Sequence, residues 1–381
     1  MKNVSRIIPC YAADTSGVCS ALYELGGMTV VHDASGCNST YSTHDEPRWT
    51  RMRSNIFISA LTEIDAIMGN DERLISDAVS AAADRRPAFI AVCGSPMPMM
   101  TGVDFDAVAA EIESRSGIRT FALHTNGTRS YIEGASEAFE AVIREYAKEC
   151  PRCGGTGVNI LGMTPLDFPL GSDASVRKWL GENGLRYVSN PGMGGSLGEI
   201  SLAASASVNL VVSEAGAAAA RYMKETFGIP YVYGVPYGKR FAAKLAEHLK
   251  AVAGGADLPP FVNPSDGFED ADTVVIGESV SAGSLSAALW ADLRMLPKPL
   301  CTLPSHRFFS RHTGGEISAE EDIEACLADM KPKTVIADPL YKYVVPEGTR
   351  LIPVPHFGFS GRCFERDMKA LINTDIKEFF E

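Results

Sequence analysis

The sequence predicts an α/β protein of three Rossmann-like domains, each a mostly parallel four-stranded sheet flanked by helices. Three observations predict it. Short β-branched or apolar runs alternate with helix-period segments along the whole chain, the pattern of βα units. The runs fall into three consecutive groups. Between the groups lie two stretches rich in Gly, Pro and Asp, CPRCGGTG at 150–157 and GGADLPPFVNPSDGFEDAD at 254–272, as expected of linkers. A chain of 381 residues exceeds what one core usually serves, so domains at 1–155, 156–266 and 267–381 are expected.

Taken in order, the first group offers Thr29 to Ala34, Asn55 to Leu61, Ala88 to Cys93 and Arg119 to His124 as strands. Helical patterns occupy about Ser16 to Leu25 and 71–84, 104–115 and 134–148. The second group reads Val158 to Gly162, Leu185 to Ser189, Val208 to Ser213 and Pro230 to Gly234. The third reads Thr273 to Gly277, Pro299 to Leu303, Thr334 to Asp338 and Leu351 to Val354.

Composition narrows the function. With 45% hydrophobic and 22% charged residues the chain is neither disordered nor fibrous. Its net charge of −12, with basic residues scattered, gives no footing for a nucleic-acid or anionic-membrane surface. The N-terminal MKNVSRIIPC has no signal-peptide core and no window approaches a membrane span, so a cytoplasmic protein is expected. Nine cysteines in so long a chain then read as reduced thiols or metal ligands rather than a disulfide framework.

Three cysteines are placed for chemistry. In parallel sheets ligands bind beyond the carboxyl ends of the strands. Cys37, in the loop SGCNST after VVHDA, and Cys93, closing AFIAV, both fall there, and Cys10 comes just before a helix start. Such positions are expected to favour thiolates. Gly36 and Gly94, next to two of these thiols, are expected to line the cofactor. Common cubane clusters want four protein ligands, so one is missing. Either it is a carboxylate or another cysteine such as Cys19, or the chain pairs about a two-fold axis so that six thiolates surround a larger shared cluster.

The spacing of Cys10, the Gly36-Cys37 pair and Cys93 resembles the cluster-binding cysteines of the nitrogenase component 1 superfamily. FISALTEIDAIMGNDERL, GVDFDAVAAEIE, NGTRSYIEGA, GGSLGEI, VNLVVSEAG and MKETFGIPYVYG resemble family segments in the correct order, so the resemblance covers nearly the whole chain. It implies a reductase component that takes single electrons from a separate ATP-hydrolysing iron–sulfur protein. Those electrons would pass through a 4Fe-4S or P-cluster-like 8Fe-7S cluster at a subunit interface, with a homodimer preferred, to an unsaturated or sulfur-containing substrate. The alternative is a scaffold on which a metallocluster is assembled. No GxxxxGK[ST] loop is present, GVPYGKR having the wrong glycine spacing, so ATP hydrolysis is expected on the partner. Two departures argue against dinitrogen as substrate. Ser213 stands where the family's active-site subunit has a cofactor-binding cysteine, and Ala135, after Gly134 in what resembles a substrate-side loop, stands where it has a histidine.

Beyond Cys37, the insert STYSTHDEPRW packs His44, Asp45, Glu46 and Arg48 together. The first three are candidate proton donors beside an electron-delivering site, and Arg48 a candidate clamp for a carboxylate or phosphate. A solvated, salt-bridged loop is the competing reading. His32, His124 and His356 fall near strand ends and read equally well as structural. Cys150 and Cys153 form half a zinc site and otherwise a linker; Cys301, Cys326 and Cys363 are expected to pack. GGSLG around Ser196 matches the hydrolase elbow GxSxG, but Ser196 with Glu199 spells a helix cap instead.

Overall fold

The computed structural model describes residues 6–34, 36–262, 272–295, 297–305 and 319–380, with the side chains of Cys37 and Asn38 outside the description. These residues form three four-stranded sheets in chain order. The first contains β1 (Met28–His32), β2 (Ile56–Ile58), β3 (Ile90–Gly94) and β4 (Thr120–Leu123); the second β5 (Gly157–Leu161), β6 (Arg186–Ser189), β7 (Val208–Val211) and β8 (Tyr231–Tyr233). The third contains β9 (Thr273–Gly277), β10 (Pro297–Cys301), β11 (Thr334–Ala337) and β12 (Arg350–Pro353). Strand orders are β2-β1-β3-β4, β6-β5-β7-β8 and β10-β9-β11-β12, and every pairing is parallel. The segment 263–271, which contains the expected second domain boundary, lies outside the described residues.

The helices are α1 (Asp14–Leu22), α2 (Glu63–Met68), α3 (Asp71–Arg85), α4 (Pro96–Thr101), α5 (Phe105–Ser116), α6 (Tyr131–Tyr146), α7 (Ser172–Glu182) and α8 (Leu197–Ser201). They continue with α9 (Ala217–Phe227), α10 (Arg240–Ala253), α11 (Ser279–Leu293), α12 (Glu320–Met330), α13 (Phe357–Ser360) and α14 (Lys377–Phe380). Because helices cover both faces of a parallel sheet, central strands must be apolar throughout; β1, β3 and β5 are buried at every position.

Two sequence expectations are corrected. The segment that resembles a substrate-side loop is helix: Ser130 and Glu133 form a capping box that starts α6 at Tyr131, so Gly134 and Ala135 lie buried within it. Gly134 is there for close packing, since a Cβ at that position would stand 1.9 Å from the Asp14 carbonyl oxygen of α1, and one at Gly17 would stand 2.0 Å from that of Tyr131. The strand expected over Asn55 to Leu61 shrinks to Ile56–Ile58, because β2 is an edge strand paired only with β1.

Each sheet has the same order, first strand beside third. The chain therefore reverses its winding between β1 and β3, β5 and β7, and β9 and β11, and loops leaving those strand pairs open into crevices. These three switch points position every group discussed below.

Candidate functional site

The first switch point carries the thiols. Val31 of β1 pairs with Cys93 of β3 and His32 with Gly94, so the Cys37 loop and Cys93 leave the same end of adjacent strands. Cys37 opens a short 3-10 helix, Cys37–Ser42. Helix α1 is tied to this end, as Thr15 Oγ1 donates to the Gly94 carbonyl at 3.0 Å. Cys10 precedes α1, and its Sγ donates to the carbonyls of Gly358 at 3.4 Å and Ala12 at 3.5 Å. Asp14, fully buried at the helix start, accepts N–H bonds from Asn126 (2.9 Å) and Gly127 (2.8 Å) and an ion pair from Arg129 (3.2 Å), locking the loop after β4 onto α1.

The expectation of ready thiolates at Cys10 and Cys93 is corrected. Burial pushes the Cys10 thiol up to about 12, and it lifts Cys93 higher still, against a partial counter-pull from the Thr125 hydroxyl. Neither thiol lies in the first turn of a helix, and a metal that takes them must displace their protons. Both are free rather than disulfide-bonded, and Cys19, wholly buried on α1, interacts electrostatically with Cys93. Free thiols at Cys10 and Cys93 are soft donors of the kind an iron–sulfur group takes. Among the described residues no three His, Cys, Asp or Glu side chains form a ready metal cage, and the Cys37 side chain is not among them.

The two neighbouring glycines differ. Gly36 is exposed and a Cβ there would meet nothing. At Gly94 a Cβ would stand 2.7 Å from the Phe105 ring and 3.0 Å from the Thr125 carbonyl, so tight packing alone requires glycine. Its N–H donates to Thr125 Oγ1 at 3.0 Å and its carbonyl accepts from Thr15 and Thr125, which commits its polar groups within the protein.

The charged insert is not a solvated loop. Asp45, Glu46 and Arg48 are buried. Arg48 meets Glu46 through Nε at 2.6 Å and Nη2 at 2.8 Å, and Glu24 through Nη1 at 2.7 Å. Nη2 also donates to the Ser20 carbonyl at 2.6 Å, and the guanidinium stacks on Tyr23 at 4.8 Å. Every guanidinium nitrogen is thus engaged, and the pair ties the insert to α1. Asp45 accepts from the Tyr11 hydroxyl at 3.1 Å. His44 is half-buried, with Nδ1 3.4 Å from Thr43 Oγ1.

The second and third switch points converge on a different set. Asp167, in the loop after β5, accepts from Tyr131 Oη at 2.5 Å and pairs with His356 Nε2 at 3.1 Å, both through Oδ1. Its Oδ2 and His356 Nδ1 are buried without a hydrogen-bond partner among the described residues. Asp338, after β11, holds the His356 loop, accepting from the His356 N–H and Ser360 Oγ, each at 2.8 Å. Glu278, after β9, is fully buried at the start of α11. It accepts N–H bonds from Val280 (3.1 Å), Ser281 (2.9 Å) and Glu214 (3.0 Å). Burial and the charge of Asp167 push it up to about 7, against those donors. The sequence pattern gives His356 a structural meaning as readily as a chemical one and does not single out Asp167 or Glu278. The available signal is their position at carboxyl ends of strands.

Other marked residues are absorbed by structure. Buried His32 bonds Ser59 Oγ at 2.7 Å, and burial lowers its proton affinity. His124 lies exposed between Asp106 and Glu137, each at 3.1 Å. Ser196 caps α8 by accepting the Glu199 N–H, as its motif suggests. Cys150 and Cys153 are free, half-buried thiols. No helix among the described residues is long and apolar enough to cross a membrane.

Comparison with known proteins gives concordant results. Residues 17–270 match the family model described as nitrogenase component 1 type oxidoreductase. A subunit of the light-independent protochlorophyllide reductase of Chlorobium luteolum is 30% identical over 138 residues, 35% of this chain and 26% of that protein. The nitrogenase iron-molybdenum cofactor biosynthesis protein NifE of Clostridium pasteurianum is 28% identical over 250 residues, 61% of this chain and 53% of that protein. The chain thus spans between about a quarter and about half the length of these two curated relatives. The solved structure "Nitrogenase Cp1 at pH 6.5" superposes with a TM-score of 0.71 at 14% identity, covering 99% of this chain and 90% of that one, a likeness of fold.

Proposed function

The chain belongs to the nitrogenase component 1 type oxidoreductases, and from that premise we propose that it is the catalytic component of a cytoplasmic nitrogenase-like reductase. It receives electrons from a separate ATP-hydrolysing iron–sulfur protein and passes them to an unsaturated or sulfur-containing substrate other than dinitrogen. Cys10, Cys37 and Cys93 hold the iron–sulfur cluster, of 4Fe-4S or 8Fe-7S type, that supplies the electron path. Three thiols leave its coordination incomplete, which favours a homodimer with the cluster at the interface. The observation that carries this reading is the first switch point: the Cys37 loop and Cys93 leave neighbouring strands side by side, and α1, entered from Cys10, is bonded to Gly94.

The chain's own residues have distinct parts. Glu46 and Arg48 position the insert over α1, while half-buried His44 and buried Asp45, beside the Tyr11 hydroxyl, are the proton donors within it. A cavity of about 650 Å³ beside Cys10, bounded by Arg129, Glu133 and Thr302 among others, is the substrate cleft. On the neighbouring surface α2 and α4 pack together and expose Ile64, Ile67, Met68, Met99 and Met100, with Ile67 and Met100 each 82% open. Monomeric proteins seldom expose so many apolar side chains together. As α4 begins three residues after Cys93, this patch is where the electron donor docks.

The test is anaerobic turnover: purified chain, an ATP-hydrolysing iron protein, ATP and a tetrapyrrole or small sulfur substrate. ATP-linked substrate reduction is expected, and loss of a labile cluster to an apo-enzyme without turnover would contradict it. That second outcome is the scaffold reading, favoured by one observation: the alignment with the cofactor biosynthesis protein is longer, 250 residues against 138.

A further inference from the structure

Glu278, Asp338 and His356 line a cavity of about 40 Å³ at the third switch point. That volume exceeds what one water needs, and a water is retained inside a protein only where several polar groups meet it. Here they do. His356 Nδ1 is buried with no partner among the described residues, its other nitrogen is fixed by Asp167, and Asp167 is fixed by Tyr131. Asp167 and Glu278 both lie in the interior, and their hydrogen bonds among the described residues come from a phenol, an imidazole, a hydroxyl and backbone N–H groups. Among the described residues, the groups acting on Glu278 or facing this cavity are Asp167 after β5, the Glu214 N–H after β7, Tyr233 at the end of β8 and Tyr237 beyond it, Tyr131 of α6, Asp338 after β11 and His356 after β12. These are acids, phenols, an imidazole and a backbone N–H, with no lysine or arginine among the described residues of the cavity lining.

We propose that Glu278, joined to His356 by water in this cavity and set against Asp167, is a proton store. Its use in catalysis rests on the reductase reading. When an electron reaches the substrate, the Glu278 O–H bond breaks and the proton passes through the cavity water and His356 to neutralise the new negative charge. The carboxylate left behind stays on its three N–H donors, and solvent restores the proton before the next electron arrives. Tyr131 and Asp338 are positioning residues, holding Asp167 and the His356 loop.

Infrared titration of the full-length resting protein tests the store without partner, ATP or substrate, so it can fail or stand independently of the reductase reading. The wild type is expected to show the C=O stretch of a protonated, buried carboxyl group that disappears with a midpoint near pH 7. The band is expected to be absent in Glu278→Gln, which keeps an acceptor for α11. In Asp167→Asn the midpoint falls by about one unit or more, because a like charge has been removed. In His356→Gln the band persists at a shifted frequency. A wild type with no such band, a band surviving in Glu278→Gln, an unmoved midpoint in Asp167→Asn or an unmoved frequency in His356→Gln would each overturn the proposal.

Discussion

Two groups of buried carboxylates in this molecule have opposite surroundings. Glu46, with half-buried Glu24 beside it, closes on the guanidinium of Arg48, while Asp167 and Glu278 meet a phenol, an imidazole and backbone N–H groups. The first group is a clamp in which two carboxylates share one guanidinium. The second sets one buried acid against another, and burial together with the Asp167 charge raises the proton affinity of Glu278. Charge density along the sequence marks the clamp, and topology alone marks the store. The difference teaches that a crowded run of ionisable residues is often a self-satisfied structural unit, whereas single acids brought together by separate strands carry the uncompensated chemistry.

Breaking the clamp should have the largest effect. Arg48→Met leaves Glu46 buried and unpaired, and a loss of about 3–5 kcal/mol is expected in urea denaturation. Adding Glu46→Gln should recover much of that loss; a single variant as stable as wild type would mean that the insert opens to water.

The second group is sharpened by pH. Glu278 holds its proton more tightly folded, at about 7, than an unfolded glutamate does. The folded state therefore gains from that proton in full below the unfolded value and gives the gain up as pH rises through about 7. Melting temperature should fall between pH 5 and pH 8, by an amount on the order of 2–3 kcal/mol in stability, and Glu278→Gln should flatten the slope. A wild-type slope of the opposite sign across that window, retained in the variant, would exclude a raised Glu278. A smaller effect, about 1 kcal/mol, is expected of Asp338→Asn, which weakens the acceptor for the His356 N–H and Ser360.

Surface change should matter least to folding. Met100→Asp on exposed α4 is expected to alter stability by no more than about 0.5 kcal/mol. Donor-dependent reduction should nevertheless fall about tenfold or more, if a buried apolar contact worth roughly 1.4 kcal/mol or more is lost on docking. Unchanged reduction with full donor dependence would move the docking surface elsewhere.

Much of the fold is legible in the sequence because buried parallel strands are written as unbroken apolar runs, as in MTVVH, IAVCG and TVVIG. Helix starts are less so. The periodic pattern suggests that α6 begins at 134, although Ser130 and Glu133 spell a capping box, because the helix also packs Gly134 against α1, a contact invisible to local pattern. The thiols proposed to hold the cluster, Cys10, Cys37 and Cys93, are picked out in the sequence by their place at strand ends and before α1. Asp167 and His356 are not found together, because they are 189 residues apart and meet only when two sheets turn their switch points toward one another. Arg48 stands out as unusual but its surroundings do not, since local sequence cannot show that Ser20, Tyr23 and Glu24 of the α1 region enclose it.

The most direct test of the metallocluster is anaerobic reconstitution followed by iron and labile-sulfide analysis of the wild type and of the triple variant Cys10→Ser, Cys37→Ser, Cys93→Ser. The expected result is a coloured wild type with iron and sulfide in comparable amounts and a folded, colourless triple variant. A wild type that stays metal-free, or a triple variant that binds the same iron and sulfide, would contradict the assignment of these thiols.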